Sequence, residues 1–236
     1  MRYRRAMPRF FTPTTFAFLR ELDDNNDREW FKTHQERYEE HVRGPALDFI
    51  EEFAEPLLKI SPHFVADARK VGGSLFRIQR DTRFSKDKTP YKTQIGIHFR
   101  HVATRDDVHA PGFYLHVEPG GGSFAAVGLW RPSTADATAI RTAIGDDPAR
   151  WKRVTGATRF TEVYGGLEGE SLKRPPRGFD PDHPLIDDLK RKDFIASSRL
   201  RQADVTSADF LADYTNRMKA GAPLMEFLCG ALGLGF

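Results

Sequence analysis

The chain has 236 residues, 39% of them hydrophobic and 29% charged, with a formal net charge of +3 and a pI near 9.0. A chain of this length buries roughly 70–75% of the surface its unfolded form exposes, so it needs no metal or disulfide staple. This composition excludes whole-chain disorder, collagen and coiled coil. The single cysteine, Cys229, excludes an internal disulfide and a cysteine-rich zinc site, and it suits a reducing compartment. No apolar run of about 18 residues occurs, and no apolar stretch follows the basic opening MRYRRAMPRF. A cytoplasmic protein with no membrane span and no secretory signal is therefore expected.

Charge is distributed unevenly. Residues 69–92 hold eight basic side chains against two acids, a net of +6, which leaves −3 for the rest of the chain. Residues 14–60 reverse the balance, with six bases against twelve acids. A net charge of +3 alone does not imply nucleic acid, but a concentrated basic segment calls for a local explanation.

In chain order, Thr12-Pro13 suits a helix start, with Phe16 and Leu19 on one face, and Asp23 to Asn26 ends it. Trp30, His34, Tyr38 and Val42 recur every four residues and predict a second helix. Gly44-Pro45 closes that helix and opens a third, whose apolar stripe runs Ala46, Phe49, Ile50, Phe53, Leu57, Ile60. After Gly72-Gly73 the period changes to two. Phe76 and Ile78, then Ile95, Ile97 and Phe99, then Phe113, Leu115 and Val117 alternate with polar residues, and Phe124 to Trp130 adds a fourth run. These are the marks of half-buried antiparallel strands. Helices return with Ser133 or Thr134 as a cap and with Asp147-Pro148. Residues 155–184 read as irregular. A helix follows from about Leu185, another is capped by Thr206 or Ser207, and an apolar segment, Met225 to Leu232, docks at the end. Helices, then strands, then helices predict an α+β fold with a mainly antiparallel sheet at about residues 74–130, in one domain over 1–236.

If the strands pair in order, their apolar residues point to the helices. The opposite face then carries Arg77, Gln79, Gln94, His98, Tyr114 and His116. This set is hydrogen-bonding and partly aromatic, closer to a pocket lining than to a plain solvated face, and residues 155–184 are a candidate lid. Between the first two strands, Arg80 to Lys92 is rich in donors. Arg77, Arg80, Arg83, Lys86, Lys88 and Lys92, with Arg131, Lys173 and Arg174 from later segments, form the candidate anion-binding set, because guanidinium and ammonium groups suit carboxylate or phosphate. Asp81 can orient an arginine, and Tyr91 and Trp130 complete the lining. His116 is the natural general acid–base and Tyr114 its neighbour, since imidazole titrates near neutral pH.

The run FRIQRDTRFSKDKTPYKTQIGIHF (76–99) resembles the signature of the domain-of-unknown-function family 2461 of bacteria and fungi. FTPTTFAFLREL with NNDREWF, PGFYLHVEPG, GLWRP and LKRPPRGFDPDHP resemble further blocks of that family. The resemblance covers about residues 10–211. It implies one domain, with the C-terminal helix docking after it, and assigns no activity.

Phosphate-loop, dinucleotide and nucleophile-elbow motifs do not occur, so no cofactor is expected. His98, His116 and Glu118 make a weak metal set; core and surface histidines are much commoner, and no metal is expected. The leading expectation is a phosphorylated or carboxylated small molecule bound at a basic, polar-lined sheet face, with catalysis left open. The alternatives are nucleic acid, with bases stacked on Tyr91 or Trp130, and a protein-interaction domain in which the basic loop forms structural salt bridges.

Overall fold

A computed structural model describes residues 10–104, 107 and 109–236; residues 1–9 of the basic opening lie outside them. The first helix, α1 (Pro13–Asp24), starts where the sequence places it, with the Thr12 backbone N–H donating to Thr15 Oγ1 at 3.1 Å. The Trp30–Val42 stripe is not one helix. The Asp27 carboxylate accepts from the Trp30 N–H at 2.9 Å and caps α2 (Arg28–Thr33), which stops at His34. The path resumes as α3 (Gln35–Tyr38), then a π-helical turn (Glu39–Arg43), then α4 (Gly44–Ile60) without a break. Gly44 keeps helical angles (φ −54°, ψ −58°), and Pro45 follows the π-helical turn in the first turn of α4. The pair therefore opens α4 but does not interrupt the chain's helical course.

Five antiparallel strands follow in the order β1 (Phe64–Val65), β2 (Ile95–His101), β3 (Gly112–Val117), β4 (Phe124–Leu129) and β5 (Phe194–Arg199). Between β4 and β5 lie α5 (Thr134–Asp146), α6 (Pro148–Thr155), α7 (Thr158–Tyr164) and α8 (Ile186–Leu189); α9 (Gln202–Val205) and α10 (Phe210–Ala231) close the chain. The expected short helix near Phe210 and the apolar segment after Met225 are one helix of 22 residues, with Pro223 inside it. No helix among the described residues is long and apolar enough to cross a membrane.

The run from Ser74 to Arg80 differs from the expected regular strand. It pairs with the sheet at two points, Leu75 opposite Ile97 and Gln79 opposite Tyr91, and the alignment slips by two residues at Thr93 and Gln94. Leu75 joins Ile97 on the helix side, whereas Phe76, whose N–H donates to Gly96 O at 2.9 Å, turns to the opposite face. The expectation that Phe76 points at the helices is thus corrected. Part of the 155–184 segment is also regular: α7 occupies it, and Glu168 then pairs with Ile195 along the edge of β5.

Register assigns every sheet residue to a face. Ile97, Leu115, Ala125 and Ser198 lie in one row, and Phe99, Phe113, Val127 and Ala196 in the next. Against this inner face pack α4 and α10, with Phe53 of α4 against Phe99 at 4.8 Å between ring centroids and Tyr214 of α10 against Phe53 at 4.9 Å. Two buried polar groups hold the 165–193 segment in place. Arg141 donates from Nε to Leu189 O and from Nη2 to Arg191 O, each at 2.7 Å. The Asp193 carboxylate accepts from the backbone N–H groups of Arg131 (2.9 Å) and Glu170 (3.0 Å).

Gly221 is where α10 crosses β4. A Cβ there would stand 2.7 and 2.8 Å from the two Val127 methyls and 3.1 Å from Tyr164 Oη. Gly221→Ala is therefore expected to cost about 1–3 kcal/mol through overpacking. Val127→Ala in the same chain should recover part of that loss, although it is destabilising alone. Denaturant unfolding of the two single variants and the double variant checks this; simple additivity would contradict the close crossing.

Candidate functional site

The outer face of the sheet holds the candidate side chains. Strand parity places Tyr114 and His116 on that face of β3, with His98 opposite Tyr114 and Gly96 opposite His116. Gly96 leaves room for the Tyr114 ring to lean across: its hydroxyl lies 2.7 Å from where a Gly96 Cβ would be. From there Tyr114 Oη reaches His116 Nδ1 at 3.2 Å, and His116 Nε2 reaches Glu118 Oε2 at 3.2 Å. The imidazole stacks on Phe124, its cross-strand neighbour, at 4.7 Å and 12°. Tyr114, His116 and Glu118 thus form a row at i, i+2, i+4 along β3 and the residue beyond it. Sequence reasoning singled out the first two and considered Glu118 only as a metal ligand.

One tautomer satisfies the whole row. The Tyr114 hydroxyl donates to Nδ1, and the Nε2–H donates to the Glu118 carboxylate. Burial pushes the His116 pKa below its ordinary value, opposed by its hydrogen bond to Glu118 and by that carboxylate's charge. Burial pushes the Tyr114 hydroxyl up to about 12, with the Glu118 charge adding to the rise. The phenol therefore stays protonated and donating at neutral pH. The His116 side chain remains 14% exposed and that of Glu118 39%. Chemically the row is an oriented acid–base imidazole, the arrangement a proton-transfer site needs.

The predicted cations divide into two groups. Arg80 pairs with Asp87 and with Thr89 Oγ1. Arg83 binds Asp81 through two hydrogen bonds, at 3.0 and 2.7 Å, and Lys88 donates to Thr82 O at 2.8 Å. These side chains satisfy their own loop. The Arg83 guanidinium and backbone N–H hold the Asp81 carboxyl at about 2, and the Thr89 backbone N–H with Arg80 does the same for Asp87. Lys92 instead turns to the outer face. Its ammonium donates to Arg77 O at 2.9 Å and sits 5.4 Å from the centre of the Phe76 ring. Phe76 in turn touches both Tyr114 and His98, each at 6.1 Å between centroids. Burial and the Arg77 charge lower the Lys92 pKa. Among the described residues Arg77, Lys86, Lys92, Lys173 and Arg174 form no ion pair.

The remaining candidates are dispersed. Tyr91 stacks on Phe31 at 4.1 Å, and its backbone exchanges two hydrogen bonds of 3.0 Å with the Asn26 side chain, so its ring belongs to the packing of the hairpin. Trp130 is half exposed, with the Arg131 guanidinium 4.5 Å from its ring centre. Arg131 itself takes a left-handed backbone (φ 51°), held by its N–H bond to Asp193. Gln79 lines a cleft of about 560 Å³ between residues 26–29 and the hairpin. Gln94 lines another, of about 540 Å³, beside Arg80, Asp87 and Lys92. His98 opens onto a third, of about 300 Å³, at the β1 end of the outer face. Tyr114 stands between His98 and His116. Among the described residues no group of three or more His, Cys, Asp and Glu is placed to hold a metal ion.

Burial lowers the pKa of three histidines: His98 to about 3 from an ordinary 6.5, with His116 and His101 shifted the same way. The unfolded chain takes up these protons near pH 6.5, while folded His98 refuses its proton until about pH 3. The linkage sign is therefore that stability falls as pH drops through this window. Thermal melts from pH 7 down to pH 4 should show a steady loss, smaller in His98→Gln. An unchanged melting temperature over that range would contradict the buried neutral imidazole.

No curated protein and no solved structure matches the chain significantly. A family model described as conserved hypothetical protein (DUF2461) matches residues 14–227. The match runs from α1 into the last third of α10, and so includes the helical layer, all five strands and the outer face. The chain therefore belongs to the DUF2461 family of conserved hypothetical proteins.

Proposed function

We propose that this protein binds a small phosphorylated or carboxylated molecule on the outer face of its sheet and moves a proton to or from it through His116. The observation that carries the reading is the Tyr114–His116–Glu118 hydrogen-bonded row, with Lys92 over the Phe76 ring that packs on Tyr114. An imidazole oriented by a carboxylate on one side and a phenol on the other serves as a general acid–base. Lys92, without an acid partner among the described residues, lies over the Phe76 ring that touches Tyr114, where it can hold an anion near the row, and the Arg77 charge is close enough to lower the Lys92 pKa. The lack of a carboxylate partner favours this role, because a guanidinium or ammonium already paired has less to offer a ligand. Arg80, Arg83 and Lys88, bound within their own loop, support the fold of the hairpin in this reading.

A small ligand is favoured over nucleic acid because the free cations at the face are few. Duplex binding through six phosphate contacts would give a log–log salt slope of about −5, whereas a single anionic group gives a much shallower one. The test is a thermal-shift panel of sugar phosphates, nucleotides, carboxylates and short oligonucleotides at low and moderate salt. A ligand at a hundred times its dissociation constant adds about 2.7 kcal/mol. A selective hit should be lost in the Arg77→Ala/Lys92→Ala double variant and kept in Lys86→Ala. His116→Gln should still bind it but lose any turnover. Stabilisation by every oligonucleotide, vanishing with salt, would overturn this reading in favour of nucleic acid; no shift from any compound would overturn it outright.

A further inference from the structure

The cleft of about 300 Å³ at the β1 end of the outer face is separate from the His116 row. Its lining is Val65, Asp67, Arg69, Gly72, Gly73, Ser74, His98 and Arg100. Three of these polar groups are already engaged. Arg69 and Asp67 pair through contacts of 2.6–2.9 Å. The Ser74 hydroxyl accepts from the Asp67 N–H at 3.0 Å and donates to Val65 O at 3.3 Å. Two groups are not engaged in this way. Arg100 makes a single hydrogen bond, from Nη2 to Gly73 O at 3.3 Å, and forms no ion pair among the described residues. His98 is only 8% exposed, yet neither of its ring nitrogens has a hydrogen-bond partner among the described residues.

The fully enclosed side-chain atoms that lack a partner are, among the described residues, Trp151 Nε1 and Tyr214 Oη; the His98 nitrogens are not among them, so the largely buried ring still presents them to solvent. The fold makes room for the ring. Gly112, opposite Arg100, lacks a side chain where a Cβ would come within 2.0 Å of His98 Nε2. The Nε2 edge of the imidazole therefore lies against bare backbone in the lining of the cleft, beside an arginine with donors to spare.

We propose that this cleft is a binding site for a small hydroxycarboxylate, with the carboxylate on the Arg100 guanidinium and the hydroxyl on His98. The Arg100 fork matches a carboxylate, two N–H donors to two oxygens. A neutral imidazole nitrogen is a donor or an acceptor according to the tautomer, and a hydroxyl can match either role. The Asp67 carboxylate, held by Arg69, leaves the Arg100 charge available to the ligand. This assignment does not depend on the acid–base reading of His116.

The test uses the full chain with ring-labelled histidines, titrated with L-lactate, acetate and inorganic phosphate while the His98 ring resonances are followed. Lactate should shift them saturably and bind tighter than acetate or phosphate. Arg100→Met, which keeps the aliphatic stem, should weaken lactate roughly tenfold or more, the effect of losing a charge-assisted pair, and Arg100→Lys should restore part of it. Gly112→Ala, which pushes the imidazole out of its place, should abolish the shift by a separate route, with the other histidine resonances reporting an intact fold. Arg77→Ala and Lys92→Ala should leave the His98 titration unchanged. No saturable shift from any of the three probes would overturn the proposal, as would equal affinity in Arg100→Met. A shift lost in Lys92→Ala but kept in Arg100→Met would assign the anion to the His116 region instead. Equal binding of acetate and lactate would remove the hydroxyl contact, and preferential phosphate binding would overturn the carboxylate.

Discussion

The crossing of α10 over β4 at Gly221 and Val127 governs the arrangement of the sheet. A helix can lie this close to a strand only where one side chain is missing, and the absent Cβ at Gly221 lets the α10 backbone settle against the Val127 methyls. With α10 seated there and α4 beside it, the row containing Phe99, Phe113 and Val127 becomes the interior. Because successive side chains alternate across the pleat, the same choice sends His98, Tyr114 and His116 to the other side. The candidate face is the complement of the core, defined by the residues that the helices do not cover.

The outer face is unusual in its chemistry. An exposed antiparallel face needs only to be polar. This one places phenol, imidazole and carboxylate in hydrogen-bonded sequence along β3, and rings of Phe76 and Phe124 restrict water on either side. The rings lower the local polarity, which pushes His116 toward the neutral form and Tyr114 toward the protonated one. Glu118 opposes the His116 shift and adds to that of Tyr114. An imidazole balanced in this way, oriented by its neighbours, is better suited to proton transfer than one left free in water.

Much of this was legible in the residues. Ile95–Ile97–Phe99 and Phe113–Leu115–Val117 alternate cleanly, and they became β2 and β3 with the faces that their period implies. Tyr114 and His116, two apart on one strand, had to share a side. Other features were hidden for physical reasons. Phe194–Arg199 carries Ala196 and Ser198 at inner positions, too small to mark a strand, and β5 went unseen. The alternation of Phe76 and Ile78 suggests an inner Phe76, whereas it is Leu75 that sits opposite Ile97 on the helix side, and no compositional mark distinguishes the two. The basic count of residues 69–92 suggested a convergent anion site, whereas Asp81 and Asp87, close in sequence, engage Arg83 and Arg80. Charge counting records how many cations a segment holds and says nothing about which of them are already paired. Asn26, whose amide bonds both backbone groups of Tyr91, links two distant blocks of the sequence in a way that no local pattern announces.

The account rests most directly on the protonation of one ring. If Tyr114 donates to His116 and His116 donates to Glu118, neutral His116 must carry its proton on Nε2 and leave Nδ1 bare. Long-range nitrogen–proton correlation spectra of ring-labelled protein near neutral pH distinguish the two nitrogens. A single Nε2–H tautomer is expected for His116, relaxing toward an average of both forms in Glu118→Gln. A proton on Nδ1, or an imidazole already averaging between tautomers in the unaltered protein, would contradict the hydrogen-bonded row and with it the proposed acid–base role of the outer face.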